Sequence, residues 1–225
     1  MMIFADTSNV EEIRELWDGG LIQGVTTNPS IIAKQHPGGN WHKVIAEICT
    51  FVRGPVSAEV VSETSEDMVY EGKELSEIDE NVVVKLPCTP AGIKACKVLT
   101  EYMNIKVNMT LCFSVAQAVL ASNASAEYIS PFVGRMDDYS AGSGVKLVRD
   151  IQNAYINADS VVRNGAYTRT KILAASIRSV EHLNQFAQYA DAATCPPKVI
   201  WKIFDHKLTV DGLKQFQDDW KKANE

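Results

Sequence analysis

The stretch Asn81-Val82-Val83-Val84-Lys85-Leu86-Pro87 decides how the rest of the chain is read. A run of β-branched apolar residues between an asparagine and a proline predicts a short strand buried on both faces, as in a parallel sheet. A lysine is foreign to such a strand. Burying an ammonium is costly unless it is paired or loses its proton, and desolvation favours the neutral, nucleophilic amine. Lys85 is therefore the first candidate for covalent chemistry through a Schiff base. The alternative is that the strand ends at Leu86 and the lysine stem snorkels into solvent.

Outward from this strand, the chain alternates strand-like and helix-like segments to both ends. Towards the N-terminus, strands are predicted at Met2 to Ala5, Ile22 to Thr26 and Pro55 to Val60. The first leads into a helix with Val10, Ile13, Leu16 and Trp17 at helical spacing, capped by Thr7 or Ser8 and stopped by Gly19-Gly20. Further helices carry Trp41, Val44, Ile45 and Ile48, then Met68, Val69 and Leu75. Beyond Lys85, Pro90 opens a helix with Ile93, Val98 and Leu99. Strands follow at Ile105 to Leu111, Tyr128 to Val133, Lys171 to Ala175 and Asp191 to Thr194. Helices are expected from about Ser114 to Ser122, from about Ser143 to Asn157, and through Val180, Leu183 and Phe186, with Val199 to Phe204 beginning the C-terminal helices. The polar segment Ser160 to Thr170 connects the long helix to the seventh strand, so Arg163 and Arg169 fall at that strand's N-terminal end and are excluded from the site.

Eight strands alternating with helices are what a single parallel (β/α)8 TIM barrel requires, with a doubly wound open sheet as the alternative. No linker, repeat or composition shift divides the chain, so one domain over 1–225 is expected. The 225 residues, 46% of them hydrophobic, can bury a substantial core. A net charge of -6 without a basic cluster argues against nucleic acid as a partner. With no apolar run of membrane-spanning length and no signal-peptide pattern at the N-terminus, the expectation is no membrane association and a cytoplasmic location. The cysteines at 49, 88, 96, 112 and 195 lack metal-ligand spacing and read as reduced, and no strand end carries a histidine, so neither a metal nor another cofactor is expected.

A barrel places its chemistry at the C-terminal ends of its strands. Polar residues stand at those ends in succession: Asp6, Thr27 with Asn28, Glu59, Lys85, Asn108 with Thr110, Ser130 with Arg135, and Ser176 with Arg178. Each has a local explanation as a cap, a strand terminator or a solvated charge. Two carboxylates, an amide and an amine on four consecutive strand ends are not what random surface decoration supplies.

The segments Phe4-Ala5-Asp6-Thr7-Ser8, Gly24-Val25-Thr26-Thr27-Asn28-Pro29-Ser30, Val82 to Pro87, Asn108-Met109-Thr110-Leu111, Ser130-Pro131-Phe132-Val133-Gly134-Arg135 and Ala174-Ala175-Ser176-Ile177-Arg178 together resemble the transaldolase family. The short length places the resemblance in the compact branch that includes the fructose 6-phosphate aldolases. It implies metal-free aldol chemistry through a Schiff base on Lys85, with Asp6 as general base and Glu59 and Thr110 holding the water of dehydration and hydrolysis. By the same resemblance, Asn28, Thr27, Asn108 and Ser130 would meet the substrate hydroxyls, and Arg135, Ser176 and Arg178 the phosphate. Glu59 and Phe132 match the transferases, whereas the aldolase relatives carry Gln and Tyr there.

The resemblance also implies sugar-phosphate substrates and a ring-shaped homo-oligomer, a pentamer or decamer. Leu213, Phe216 and Trp220 form an apolar stripe at helical spacing after the eighth strand, which predicts an extra C-terminal helix over about 208–225 that packs on a neighbouring subunit. Two other readings stand beside transaldolase: a fructose 6-phosphate aldolase, and a non-catalytic sugar-phosphate binding protein that has no need of Lys85 or Asp6. The Cys195-Pro196-Pro197 string departs from the family's more usual single proline.

Overall fold

The structure, a computed structural model, describes residues 1–158 and 170–224. Their eight strands are β1 (Met2–Asp6), β2 (Gly24–Thr26), β3 (Val56–Glu59), β4 (Val82–Pro87), β5 (Val107–Cys112), β6 (Tyr128–Pro131), β7 (Lys171–Ala174) and β8 (Ala192–Cys195). They pair in sequence order, all parallel, and β8 returns to β1, so the barrel is closed. Closure removes the open-sheet alternative. The connection expected over Ser160 to Thr170, with Arg163 and Arg169, lies outside the described residues except for its last residue.

Strand alternation sorts each side chain inward or outward. On β4, Val82, Val84 and Leu86 join the large core beneath the helices, while Val83 joins Phe4, Tyr128, Leu173 and Ala192 in a separate cluster inside the barrel. Lys85, two residues after Val83, shares its inward face. The same step of two places Asp6 above Phe4, Ser130 above Tyr128 and Thr194 above Ala192. The interior is therefore an apolar floor beneath a polar layer. Phe4 fills so much of that floor that a Cβ on Gly24 would stand 2.8 Å from its ring and 2.8 Å from the Pro55 carbonyl, which is why β2 carries glycine there.

Most connecting helices begin with a side-chain cap. The first, α1 (Val10–Asp18), is capped by Asn9, whose side chain accepts from the Glu11 and Glu12 amides. Thr7 and Ser8, the residues expected to cap it, turn instead to Gln35. Gln35 ends α2 (Pro29–Gln35), a helix too short and too shallow to show apolar periodicity. Then come α3 (Trp41–Cys49), α4 (Ser65–Ser76), α5 (Pro90–Met103) and α6 (Val115–Asn123), close to their predicted positions. The next, α7 (Val133–Tyr139), was not expected, because no side chain caps its start and only Val133 and Gly134 are buried. After α8 (Ser143–Ala158) come α9 (Val180–Phe186) and α10 (Pro197–Lys202). Pro196 and Pro197 begin α10, where a missing N–H costs nothing, so the double proline starts a helix.

The predicted C-terminal helix is present as α11 (Lys207–Ala223). None of it is buried, and Leu213, Phe216 and Trp220 are 58%, 72% and 72% exposed.

Candidate active site

Lys85 is 4% exposed, and its ammonium is held from two sides. Nζ stands 2.9 Å from Glu59 Oε2 and donates to the Thr27 carbonyl at 3.1 Å. Register creates the pair, since Glu59 of β3 lies beside Lys85 of β4, and both point inward. The snorkelling alternative fails: the lysine is enclosed, and a carboxylate compensates its charge where it stands.

Asp6 faces Lys85 across the same cavity, which has a volume of about 140 Å³. Thr26 Oγ1 donates to Asp6 Oδ1 at 2.8 Å and lies 2.7 Å from Thr194 Oγ1. Burial raises the Asp6 carboxyl above its ordinary range, opposed first by the charge of Lys85 and then by the bond from Thr26. A carboxyl so placed holds a proton more readily than a solvated one, which suits a group that takes a proton and later returns it.

On the next strands, Asn108 is locked by both ends of its amide. Ser130 Oγ donates to its Oδ1 at 2.7 Å, and its Nδ2 donates to Ser57 Oγ at 3.1 Å. Thr110 Oγ1 is buried without a hydrogen-bond partner, an orphan next to the lysine strand that a bound water would satisfy. Asn28 caps α2 through the Ile31 amide at 2.9 Å and also lines the cavity. Thr27 differs: its hydroxyl is turned to the Ser57 carbonyl, and only its own carbonyl reaches the lysine.

The opposite wall is made by Phe132, Arg135, Ala175 and Ser176. Arg135 lies over the Phe132 ring at 4.9 Å, and Phe132 meets Phe113 edge to face at 5.9 Å. Gly134 lets the α7 start press against the β7 end, since a Cβ there would stand 2.1 Å from the Ser176 carbonyl and 2.9 Å from Arg178 Nε. Ser176 itself adopts φ 65°, a left-handed conformation uncommon for serine. Arg178 does not line the cavity. Its guanidinium grips Asp138 with both nitrogens, at 2.5 and 2.6 Å, and borders a second cleft towards Lys198 and Lys202.

Thus Asp6, Asn28, Lys85, Ser130, Phe132, Arg135 and Ser176 line one cavity, with Glu59 directly behind the lysine. The sequence reading missed Thr26 and Thr194, which lie among barrel-facing residues and carry no signal apart from a hydroxyl where the pattern would accept valine. Ser57 was missed for the same reason. Among the described residues, no group of three or more His, Cys, Asp and Glu side chains is placed to hold a metal ion.

The family model for transaldolase/fructose-6-phosphate aldolase matches residues 3–225. A probable transaldolase of Roseobacter denitrificans is 49% identical over 226 aligned positions, covering 100% of this chain and 99% of the relative. Probable transaldolases of Paracoccus denitrificans and Brucella melitensis are 48% and 46% identical, with the same coverage.

The raised Asp6 carboxyl has a consequence for stability. A carboxyl that holds its proton more tightly when folded contributes stability below its unfolded value of 3.8, and that contribution is lost as pH rises through the folded value. Asp6→Asn, which mimics the neutral acid, should therefore melt higher than the parent at pH 7, with the gain shrinking as the pH falls towards 3.8. Thermal melts across that range check it, and an equal or growing gain in acid would contradict the assigned burial cost.

Proposed function

Because the chain belongs to the transaldolase/fructose-6-phosphate aldolase family, we propose that it is a transaldolase that moves a dihydroxyacetone unit between sugar phosphates of pentose phosphate metabolism. Sedoheptulose 7-phosphate or fructose 6-phosphate is the donor, and erythrose 4-phosphate or glyceraldehyde 3-phosphate the acceptor. The observation that carries this reading is the enclosed Lys85 amine, paired with Glu59 and facing Asp6 across a single cavity.

In this mechanism Glu59, 2.9 Å away, accepts the proton that leaves the ammonium, and the free amine adds to the donor's ketone. Loss of water, held between Glu59 and the orphan hydroxyl of Thr110, gives the iminium. The C3–C4 bonding pair then moves into the iminium to form an enamine, while Asp6 takes the proton of the C4 hydroxyl and an aldose phosphate departs. The acceptor aldehyde enters, the enamine attacks it, Asp6 returns the proton, and water held at Glu59 and Thr110 then hydrolyses the new iminium to free the ketose and Lys85. Asn28, Asn108 and Ser130 hold the hydroxyls of the three-carbon unit, the last two already fixed to one another. Arg135 and Ser176 bind the phosphate; Arg178 joins them by exchanging Asp138 for it, a bidentate grip a phosphate can replace.

A transferase must keep water from the enamine and iminium until the acceptor arrives. Phe132 gives water no hydroxyl at the cavity wall, and its ring is packed against Phe113. That favours transfer over release of free dihydroxyacetone. The reaction belongs in the cytoplasm with its sugar-phosphate partners, and no helix among the described residues is long and apolar enough to cross a membrane.

The barrel also acts as part of a homo-oligomer, ring-shaped by the family resemblance, in which α11 packs on a neighbouring subunit. Its exposed stripe of Leu213, Phe216 and Trp220 has no cover within the chain among the described residues.

Four outcomes are expected. Borohydride with fructose 6-phosphate should leave a reduced adduct on Lys85, read by intact mass and peptide mapping. Lys85→Met should give no adduct and less than about a thousandth of the parent rate, a loss of several kcal/mol of barrier stabilisation, and should melt lower because Glu59 loses its partner. An adduct elsewhere, or a higher residual rate, would overturn the covalent assignment to Lys85, whereas no adduct at all in the parent would favour the sugar-phosphate binder. Phe132→Tyr, above all with Glu59→Gln, should raise dihydroxyacetone release relative to transfer; a parent enzyme that cleaves without acceptor as fast as it transfers belongs with the aldolases. A chain ending at Lys207 should scatter light as a smaller species than the full chain, and an unchanged mass would remove the role of α11.

A further inference from the structure

Three strands meet at the closing seam of the barrel: Asp6 on β1, Thr26 on β2 and Thr194 on β8. Thr26 and Thr194 are 1% and 3% exposed, and both line the cavity. Proton counting fixes the direction of their bonds. Thr26 has one hydroxyl proton and two oxygen neighbours, Asp6 Oδ1 at 2.8 Å and Thr194 Oγ1 at 2.7 Å. A carboxylate can only accept. While Asp6 is ionised, Thr26 must therefore donate to Oδ1, and its contact with Thr194 is a hydrogen bond only if Thr194 is the donor.

We propose that Thr194 is a positioning residue for the proton transfer at Asp6: by donating to Thr26 it points the single Thr26 proton at Oδ1 and leaves Oδ2 to exchange a proton with the substrate hydroxyl. The inference rests on the reading of Asp6 as the general base and adds a residue that acts on the carboxylate through Thr26. A donor behind Thr26 polarises its O–H and strengthens the bond to the carboxylate, as in any hydrogen-bonded chain within a low-dielectric interior. That opposes the burial which makes Asp6 hold its proton. Without the Thr194 hydroxyl, the Thr26 rotor has no fixed sense and the carboxylate is less supported.

The other titratable groups facing Asp6 are Lys85 from β4, with Glu59 of β3 behind it, and Cys195 from β8. Burial, and then the charge of Asp6, pushes the Cys195 thiol up to about 12, so it stays neutral through the working range. Because Thr194 reaches the site only through Thr26 and Asp6, a shift of the rising activity limb between parent and Thr194→Val reports on Asp6.

The test compares Thr194→Val and Thr194→Ser with the parent. Valine keeps the shape and the preference for a strand but removes the hydroxyl; serine keeps the hydroxyl. Thr194→Val should still give the borohydride adduct with fructose 6-phosphate at Lys85, because imine formation does not use Asp6. Its kcat for transfer to erythrose 4-phosphate should fall by about 10-fold, a fraction of what a general base contributes, with KM nearly unchanged. The rising limb should move to higher pH, since the carboxylate has lost support, and Thr194→Ser should restore both rate and limb. Parent-like kcat and pH profile in Thr194→Val, or a Thr194→Ser as impaired as the valine variant, would overturn the proposal, the latter by assigning the effect to packing of the methyl. Asp6→Asn separates the premise from the inference. If it retains turnover, Asp6 is not the base; if it is inactive while Thr194→Val is normal, only the role of Thr194 is lost.

Discussion

A lysine enclosed within a closed barrel must be compensated where it stands, and the Lys85–Glu59 pair meets that condition. Neither residue can move far, because adjacent positions of two hydrogen-bonded strands carry them. Removing either partner would leave a charge in a poorly solvated layer, whereas keeping both holds the amine beside a group that can accept its proton. The one-residue register of β3 against β4 thus sets both the stability of the site and its readiness to react. A slip of either strand by one residue would turn its own side chain out among the helices and leave the other charge inside unpaired.

The rest of the interior follows from the same alternation. Phe4, Val83, Tyr128, Leu173 and Ala192 close the barrel from below, and on four of their five strands a polar residue, Asp6, Lys85, Ser130 or Thr194, stands two residues further along. Rigidity in that layer comes from hydrogen bonds between neighbouring strands: Ser57 to Asn108 to Ser130 on one side, Asp6 to Thr26 to Thr194 on the other. Each hydroxyl in these two chains is held by a partner before any substrate arrives, so little reorganisation of them remains for the reacting state. Asn28 serves twice, as the cap of α2 and as part of the cavity wall, which couples the geometry of the site to the folding of a helix.

The strand alternation and the buried-strand pattern around Lys85 made the barrel legible, because both depend only on local periodicity and chain order. Asp6, Glu59, Lys85 and Asn108 were legible for a related reason: charged and amide side chains are expensive inside strands. Threonine and serine are not, so Thr26, Ser57 and Thr194 gave no signal until pairing across strands brought their hydroxyls together. The short helices α2 and α7 were hidden because neither buries a periodic face. Arg178 was placed by its neighbours in sequence, but where its guanidinium points depends on Asp138, forty residues away on α7.

The pairing of β8 with β1 bears on how the protein comes into being. A ribosome releases β1 first, yet its partner β8 is among the last elements to emerge, so for most of synthesis β1 presents an open edge that only a nearly finished chain can cover. The seam that joins the first strand of the barrel to its last is also where Asp6 meets Thr194 by way of Thr26. An incomplete polypeptide can hold its lysine and its glutamate on adjacent strands and still lack the hydrogen bonds that organise the Asp6 carboxylate. Full-length translation is, in that sense, the last step in assembling the catalytic layer.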